Sequence, residues 1–242
     1  MVHVAPVPLL VLLGLVAGAL TTLAGQGGGL FLLLALSALL GPHQALALTT
    51  PALLLGNVHR AWMSRRNIDW GIAGRFLLGA VPGSVLGGLF AGASPPWVVR
   101  VFLVGMTALA IYKAWRGIQT ALPRKAMPFA GGVVGALTGT SGGAGVLIAP
   151  IMLSAGLTGA AYIGTQSVVA VAIHAGRLAA YGWSGLLTGL DGRSVAVITG
   201  SIFLGNLAAD RLRRRLPAMW TTRIEYGTLL VCTTLAVLGF RG

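Results

Sequence analysis

Two glycine-rich stretches stand out for the chemistry they allow: Ala24-Gly25-Gln26-Gly27-Gly28-Gly29 and Thr140-Ser141-Gly142-Gly143-Ala144-Gly145. Glycine has no Cβ, so its backbone N–H can reach a ligand directly, and it adopts left-handed conformations without steric cost. Each stretch leads into an apolar run of helical character, whose first N–H groups lack partners and whose N-terminus carries partial positive charge. Two such ends facing one another would suit a small oxyanion. Thr22, Gln26, Thr140 and Ser141 are placed to add hydroxyl or amide donors. The competing explanation is close packing, because small residues also line helix interfaces in membranes. Either stretch alone leaves these readings balanced. Their occurrence at matched positions of a repeat favours a binding site.

Further polar groups lie in the apolar segments that follow. Thr49-Thr50 aligns with Gln166-Ser167, Asn57 with His174, and Arg60 with Arg177, always 117 residues apart. On a helix Gln166, His174 and Arg177 fall within about 80° of arc, so all three can face one cavity. His174 lies well inside an apolar run, where it is either a functional group or a neutral histidine bonded to a backbone carbonyl. Arg177 and Arg60 lie nearer segment ends, and snorkelling to the interface is expected of them. Glu225 is placed inside a spanning segment, where it is a proton-coupling candidate, as His174 also is, or a partner of Arg223 or a basic loop nearby. Asp210 abuts an arginine cluster and is expected to be a solvated charge.

The same offset extends over much of the chain. Gly14-Leu15-Val16-Ala17-Gly18-Ala19-Leu20-Thr21 returns as Gly131-Gly132-Val133-Val134-Gly135-Ala136-Leu137-Thr138, and Leu36-Ser37-Ala38 returns as Leu153-Ser154-Ala155. Internal duplication around glycine-broken apolar segments is a mark of secondary transporters. We read five apolar segments per half, near 6–24, 28–40, 44–63, 71–91 and 97–118, then 127–140, 145–157, 161–182, 193–210 and 218–240. This divides the chain into a first repeat (1–118), a cytoplasmic linker (119–126) and a second repeat (127–242).

Composition sets the environment. The 242 residues are 56% hydrophobic and 9% charged, too few charges to cover a soluble domain, so the fold expected is an all-α polytopic membrane protein. The acids Asp69, Asp191, Asp210 and Glu225 face 17 Lys and Arg, for a formal charge of +13. That excess sits in short loops between apolar runs, which reads as membrane topology rather than nucleic-acid binding. Arg65 and Arg66, then Lys113, Arg116, Arg124 and Lys125, then Arg211, Arg213, Arg214 and Arg215 are separated by even numbers of crossings, so all three clusters can be cytoplasmic. Both termini then lie outside. Matched loops take opposite sides, so the repeats are expected to have inverted topology.

Length adds a constraint. Thirteen helical residues, as in 28–40 or 145–157, rise about 20 Å against a hydrocarbon core of about 30 Å. Segments 127–140 and 145–157 are therefore expected to form a hairpin whose glycine tip lies within the membrane, where irregular backbone survives only in a cavity or inside protein. The anion would bind near the midplane, between the two tips.

Other chemistries lack an anchor. The single Cys232 allows no intramolecular disulfide or zinc spacing. There is no Walker motif, nucleophile elbow or HExxH, so neither an enzyme nor a cofactor or metal site is expected. The scarcity of carboxylates favours anions over cations. Residues 6–24 imitate a signal peptide but lack a basic n-region and have a counterpart in the second half, so they are expected to be retained.

The chain resembles the sulfite exporter TauE/SafE family of membrane permeases. The resemblance rests on Gly25 to Gly29, Ala47-Leu48-Thr49-Thr50, Asn67-Ile68-Asp69-Trp70 at the start of the next helix, and the stretch from Thr138 to Gly145. It implies an inner-membrane transporter, an exporter, of small sulfur-containing anions such as sulfite, sulfoacetate or related sulfonates. The glycine loops of the family map onto Gly25–Gly29 and Ser141–Gly145. A passive anion channel using the same loops, or a non-transporting scaffold, are the competing classes.

Overall fold

The computed structural model describes residues 6–23, 27–116, 122–142, 145–213 and 227. The described residues form helices α1 (Val7–Leu23), α2 (Gly28–Leu40), α3 (Pro42–Met63), α4 (Trp70–Ala93), α5 (Pro96–Arg116), α6 (Met127–Ser141), α7 (Gly145–Ser154), α8 (Gly159–Trp183) and α9 (Gly192–Arg213), and no strand. Each corresponds to one expected apolar segment with ends within a few residues. The tenth segment, with Glu225 and Cys232, lies outside the described residues, as do Gly25, Gln26 and Gly143.

Lengths fall into two classes. Helices α3, α4, α5, α8 and α9 have 21 to 25 residues, and so rise at least about 31 Å, enough to cross a hydrocarbon core. Among the described residues, α4 and α9 also meet a strict test of length, apolarity and low charge for crossing a membrane. Helices α1, α2, α6 and α7 have only 17, 13, 15 and 10 residues. They are the arms that flank the two glycine stretches.

Local chemistry sets several helix ends. Asp69 accepts a hydrogen bond from Ile72 N at 2.9 Å, capping α4, while its own N–H donates to Thr165 Oγ1 and ties the α3–α4 loop to α8. Asp191 does the same for α9, accepting from Ser194 Oγ and from the N–H groups of Arg193 and Ser194. Those bonds, the Ser194 hydroxyl first, hold its carboxyl below the usual carboxylate range. Helix α6 ends on Gly142 in the left-handed region (φ 76°), whose N–H bonds Thr138 O at 2.7 Å.

Helices of the two halves pack on one another through missing side chains. A Cβ on Gly79, Gly83 or Gly87 of α4 would collide in turn with backbone of Pro128, Gly132 and Ala136 of α6, and one on Gly131, Gly135 or Gly139 would collide with α4. The register increases along both chains, so α4 and α6 run parallel. Helix α1 meets α9 in the same way: Gly14 faces Ile198 and Ser201, Gly18 faces Ile202 and Asn206, and Gly205 faces Leu15 and Ala19. At the centre α3 packs on α8. Gly164 abuts Ser64, while Leu46 and Arg177 meet at Gly142, so this pair is antiparallel.

The outer surface is apolar. Leu78, Leu86 and Phe129 are 72%, 67% and 79% exposed, and in water such faces would aggregate. Exposed Trp62 and Trp70 flank the α3–α4 loop, and exposed Trp97 and Trp183 stand at the start of α5 and the end of α8. This is the placement of aromatic belts at a membrane interface.

The α4–α6 contact can be tested directly. Gly83→Leu should lower the melting temperature of the detergent-purified protein strongly, because overpacking at backbone contact costs about 1–3 kcal/mol or more. Gly74→Leu, on the open face of α4 with nothing within 4 Å, should leave it nearly unchanged. Equal melting of the two variants would refute backbone contact at Gly83.

Candidate functional site

Helix α8 brings three polar side chains to one buried cluster. His174, Arg177 and Tyr181 follow at i, i+3 and i+7, on the face that packs inward against α3, α4 and α6. Arg177 has no exposed surface at all. Its Nε and Nη2 donate to Tyr181 Oη at 3.3 and 3.2 Å, and its Nη1 donates to His174 Nδ1 at 3.1 Å. Tyr181 Oη donates in turn to Gly139 O of α6 at 2.7 Å. Because Arg177 can only donate, His174 Nδ1 is the acceptor and the imidazole is neutral, with its proton on Nε2. Among the described residues Arg177 meets no carboxylate, so a buried cation stands unbalanced.

The second glycine tip closes on that cation. A Cβ at Gly142 would lie 3.0 Å from Arg177 Nη2 and 3.1 Å from a methyl of Leu46, with Leu33 of α2 against it as well. With φ at 76°, Gly142 occupies a conformation that side chains rarely adopt. Glycine is thus required twice here, by backbone and by space. Helix α2 thus meets the end of α6 at Leu33 and Gly142. Three of the five guanidinium N–H groups are committed to Tyr181 and His174. The remaining ones are free, among the described residues, for a ligand at the tip.

The first half carries a matched arrangement. Arg60 lies 18 residues into α3 and Arg177 lies 18 residues into α8. Arg60 Nη1 donates to Asn57 Oδ1 at 3.4 Å, as Arg177 donates to His174, and Asn57 Nδ2 bonds Leu53 O at 2.8 Å. Here the site is open. A cavity of about 460 Å³ is lined by Thr22, Arg60, Met63, Ser64, Asn67, Ala160, Ile163 and Asp210.

Both arginines correct the expectation of snorkelling: Arg60 is 4% and Arg177 0% exposed. Each lies on the face of its helix that packs against the other half rather than on the apolar outer face, so its charge stays inside the protein. Asp210 is half-buried and lines the Arg60 cavity.

The remaining candidates divide by what their polar atoms do. Thr49, Thr50, Ser141 and Ser167 are buried, and each hydroxyl bonds the carbonyl four residues back in its own helix. Thr140 donates towards Ala136 O and Gly87 O. In this conformation these hydroxyl hydrogens are committed to backbone. Thr22 Oγ1 donates to Asn206 Oδ1 at 2.9 Å, and Asn206 Nδ2 reaches Gly56 O, linking α1, α9 and α3. Gly27, at φ 90°, precedes α2 without a side-chain cap, and Gly29 faces Leu53. Gly28 packs so closely on Ala17 and Thr21 of α1 that its missing Cβ serves helix contact. Gln166 is buried with Oε1 unpartnered among the described residues, which a ligand or water would satisfy. It lies eleven residues before Arg177, or about 16 Å along the helix axis. A small anion cannot touch both.

Two residues of the network were not singled out by the sequence reading. Tyr181 had a usable signal, since a tyrosine four residues after an arginine faces it on a helix. Asn206 had none, because its position in the first repeat is Leu89.

Helices of spanning length, apolar outer faces and a polar interior with a buried cation are those of a polytopic membrane protein. The family model described as Sulfite exporter TauE/SafE matches residues 10–237, nearly the whole chain. The chain belongs to that family, which is a family of membrane transporters and not of enzymes. No curated protein and no solved structure matches it.

Tyr181→Phe removes the acceptor of two Arg177 bonds and the donor to Gly139 O. The variant should be destabilised by about 1–3 kcal/mol, the cost of stranding buried polar groups, read as a lower melting temperature in detergent. Wild-type melting would show that the network does not hold α8 to α6.

Proposed function

We propose that this chain is a secondary transporter that exports small sulfur-containing anions such as sulfite or sulfonates by alternating access. The observation that carries the reading is the fully buried Arg177 guanidinium against the Gly142 tip, which meets no carboxylate among the described residues. A buried cation without a partner costs several kcal/mol, and an anion at the tip would offset that cost. The family membership supports sulfite or a related anion as the ligand class.

In this reading residues 1–118 and 127–242 are two inverted-topology repeats, joined by a cytoplasmic linker at 119–126. Several facts support it. Helix α1 packs on α9 as α6 packs on α4, which is an exchange of first and fourth helices between halves. The central pair α3 and α8 is antiparallel, with arginines at matched positions. Helices α1, α3 and α9 run one way, and α4, α6 and α8 run the other. The short arms α1–α2 and α6–α7 are then re-entrant hairpins, and both termini face outside an inner membrane. The present conformation is sealed at Arg177 and open at Arg60, as one state of an alternating cycle would be. Rocking of the hairpins against the α3–α8 pair would exchange the two.

His174 is the proton-coupling candidate among the described residues. Its Nδ1 accepts from Arg177, so a second proton would replace an acceptor by a donor and set two cations together. An incoming anion would relieve that repulsion, linking proton and anion uptake at one site. Glu225, the other candidate, lies outside the described residues.

The decisive measurement is flux of radiolabelled sulfite, thiosulfate and a sulfonate into proteoliposomes, with and without a pH gradient. Arg177→Gln should reduce flux by about 10–100-fold, since a charge-assisted hydrogen bond contributes about 1.5–3 kcal/mol. Arg177→Lys, which keeps the charge but not the fork, should retain an intermediate rate. Normal flux in a folded Arg177→Gln variant would sink the site. Failure of wild-type protein to move any anion against a gradient would favour a channel.

A further inference from the structure

The Arg60 cavity is not a mirror of the Arg177 cluster, and the difference lies in one acid. We propose that Arg60 forms a second oxyanion station, at the basic-loop face, and that Asp210 keeps this station weak. The inference rests on the anion-transport reading and adds a site to it.

The geometry is that of a built pocket. Arg60 is buried yet lines a cavity of about 460 Å³, many times the space a single sulfite-sized ion needs. Thr22, Ser64 and Asn67 supply uncharged polar groups around it, and Met63, Ala160 and Ile163 supply an apolar wall. Thr22 stands at the end of α1, so the first hairpin contributes to the Arg60 station as Gly142 of the second hairpin contributes to the Arg177 cluster. The mouth lies beside the α3–α4 loop, where exposed Arg65 and Arg66 raise the local concentration of anions.

The repeat fails at Asp210. The residue 117 positions earlier is Ala93, so nothing in the first half places an acid where Asp210 stands. Among the described residues Arg60 therefore shares its cavity with one carboxylate, which offsets part of its charge. Arg177 meets none among the described residues. An anion at Arg60 competes with a fixed negative charge, whereas an anion at Arg177 completes an unbalanced positive one. A path must bind its ion well enough to admit it and weakly enough to release it. The chain meets both demands by charging two equivalent stations differently.

The test is equilibrium binding of radiolabelled sulfite to the full-length purified protein in nanodiscs without oxygen, beside flux in proteoliposomes. Wild-type protein should show two classes of site, one tight and one weak. Arg60→Gln should abolish the weak class and keep the tight one. Asp210→Asn should tighten the weak class by at least about tenfold, as expected for removing one charge near the ligand in a half-exposed site, and should slow flux. A single class of site that neither substitution alters would overturn the second station. Should Arg60→Gln fail to fold, an unchanged weak affinity in Asp210→Asn overturns it alone. If Arg177→Gln also leaves flux intact, the transport reading falls; if only the Arg60 and Asp210 effects are missing, that reading stands without the second station.

Discussion

The close approach of α4 to α6, and of α1 to α9, constrains everything else in this protein. Each contact is backbone on backbone, with carbonyl oxygens of one helix where the Cβ atoms of the other would be. In a bilayer no hydrophobic force drives helices together, so contact of this closeness has to come from small residues and dispersion. Helices α1 and α6, which lead into the two glycine stretches, are thereby fixed on long helices of the opposite half of the chain. Gly139 shows how tightly this is coupled to the site: its missing Cβ admits α4, and its carbonyl takes the Tyr181 hydroxyl that orients Arg177.

From that follows the treatment of charge. An arginine inside a membrane protein is held by acceptors or by an opposite charge. Here the acceptors are a tyrosine oxygen and a histidine nitrogen, both neutral, so the bonds position the guanidinium without cancelling it. Replacing His174 by a carboxylate would have satisfied Arg177 better and left nothing for a ligand. On the proposed reading the cluster is stable enough to be built and, among the described residues, unbalanced enough to attract an anion. On the proposed reading, this is the electrostatic counterpart of the glycine tip, which supplies space at the point where the charge is delivered.

Much of the architecture was legible in the sequence. Nine apolar segments became helices because runs of Leu, Ala and Val between Gly, Pro and charged residues leave few other options in a chain with so little charge. The 117-residue offset also selected Arg60 with Arg177 and Asn57 with His174, which occupy matching places in α3 and α8. What the sequence concealed was direction. Position near a segment end suggests snorkelling for an arginine, but which face of the helix it occupies depends on a partner helix from the other half. Glycine was ambiguous for the same reason. Gly28 and Gly142 sit in similar stretches, yet Gly28 makes room for α1 while Gly142 makes room for Arg177 and adopts a left-handed conformation. Only the neighbour distinguishes packing from a binding site.

The departures from the repeat are then more informative than its conservation within the chain. Several matched positions that stayed alike, Gly14 with Gly131 and Gly18 with Gly135, are those where helix meets helix too closely for a side chain. Matched positions that diverged, Asn57 with His174, Thr49 with Gln166 and Ala93 with Asp210, all carry polar or charged groups in one half, the first two in the buried α3–α8 pair and the third at the Arg60 cavity. On the proposed reading, symmetric glycines would allow two equivalent conformations of similar energy, because exchanging the roles of the halves replaces each contact with its twin. Asymmetric polar groups would then give those two conformations different affinities for a ligand and for a proton. A transporter needs both properties at once, since identical stations would exchange an anion without preference and dissimilar scaffolds would favour one conformation too strongly to cycle.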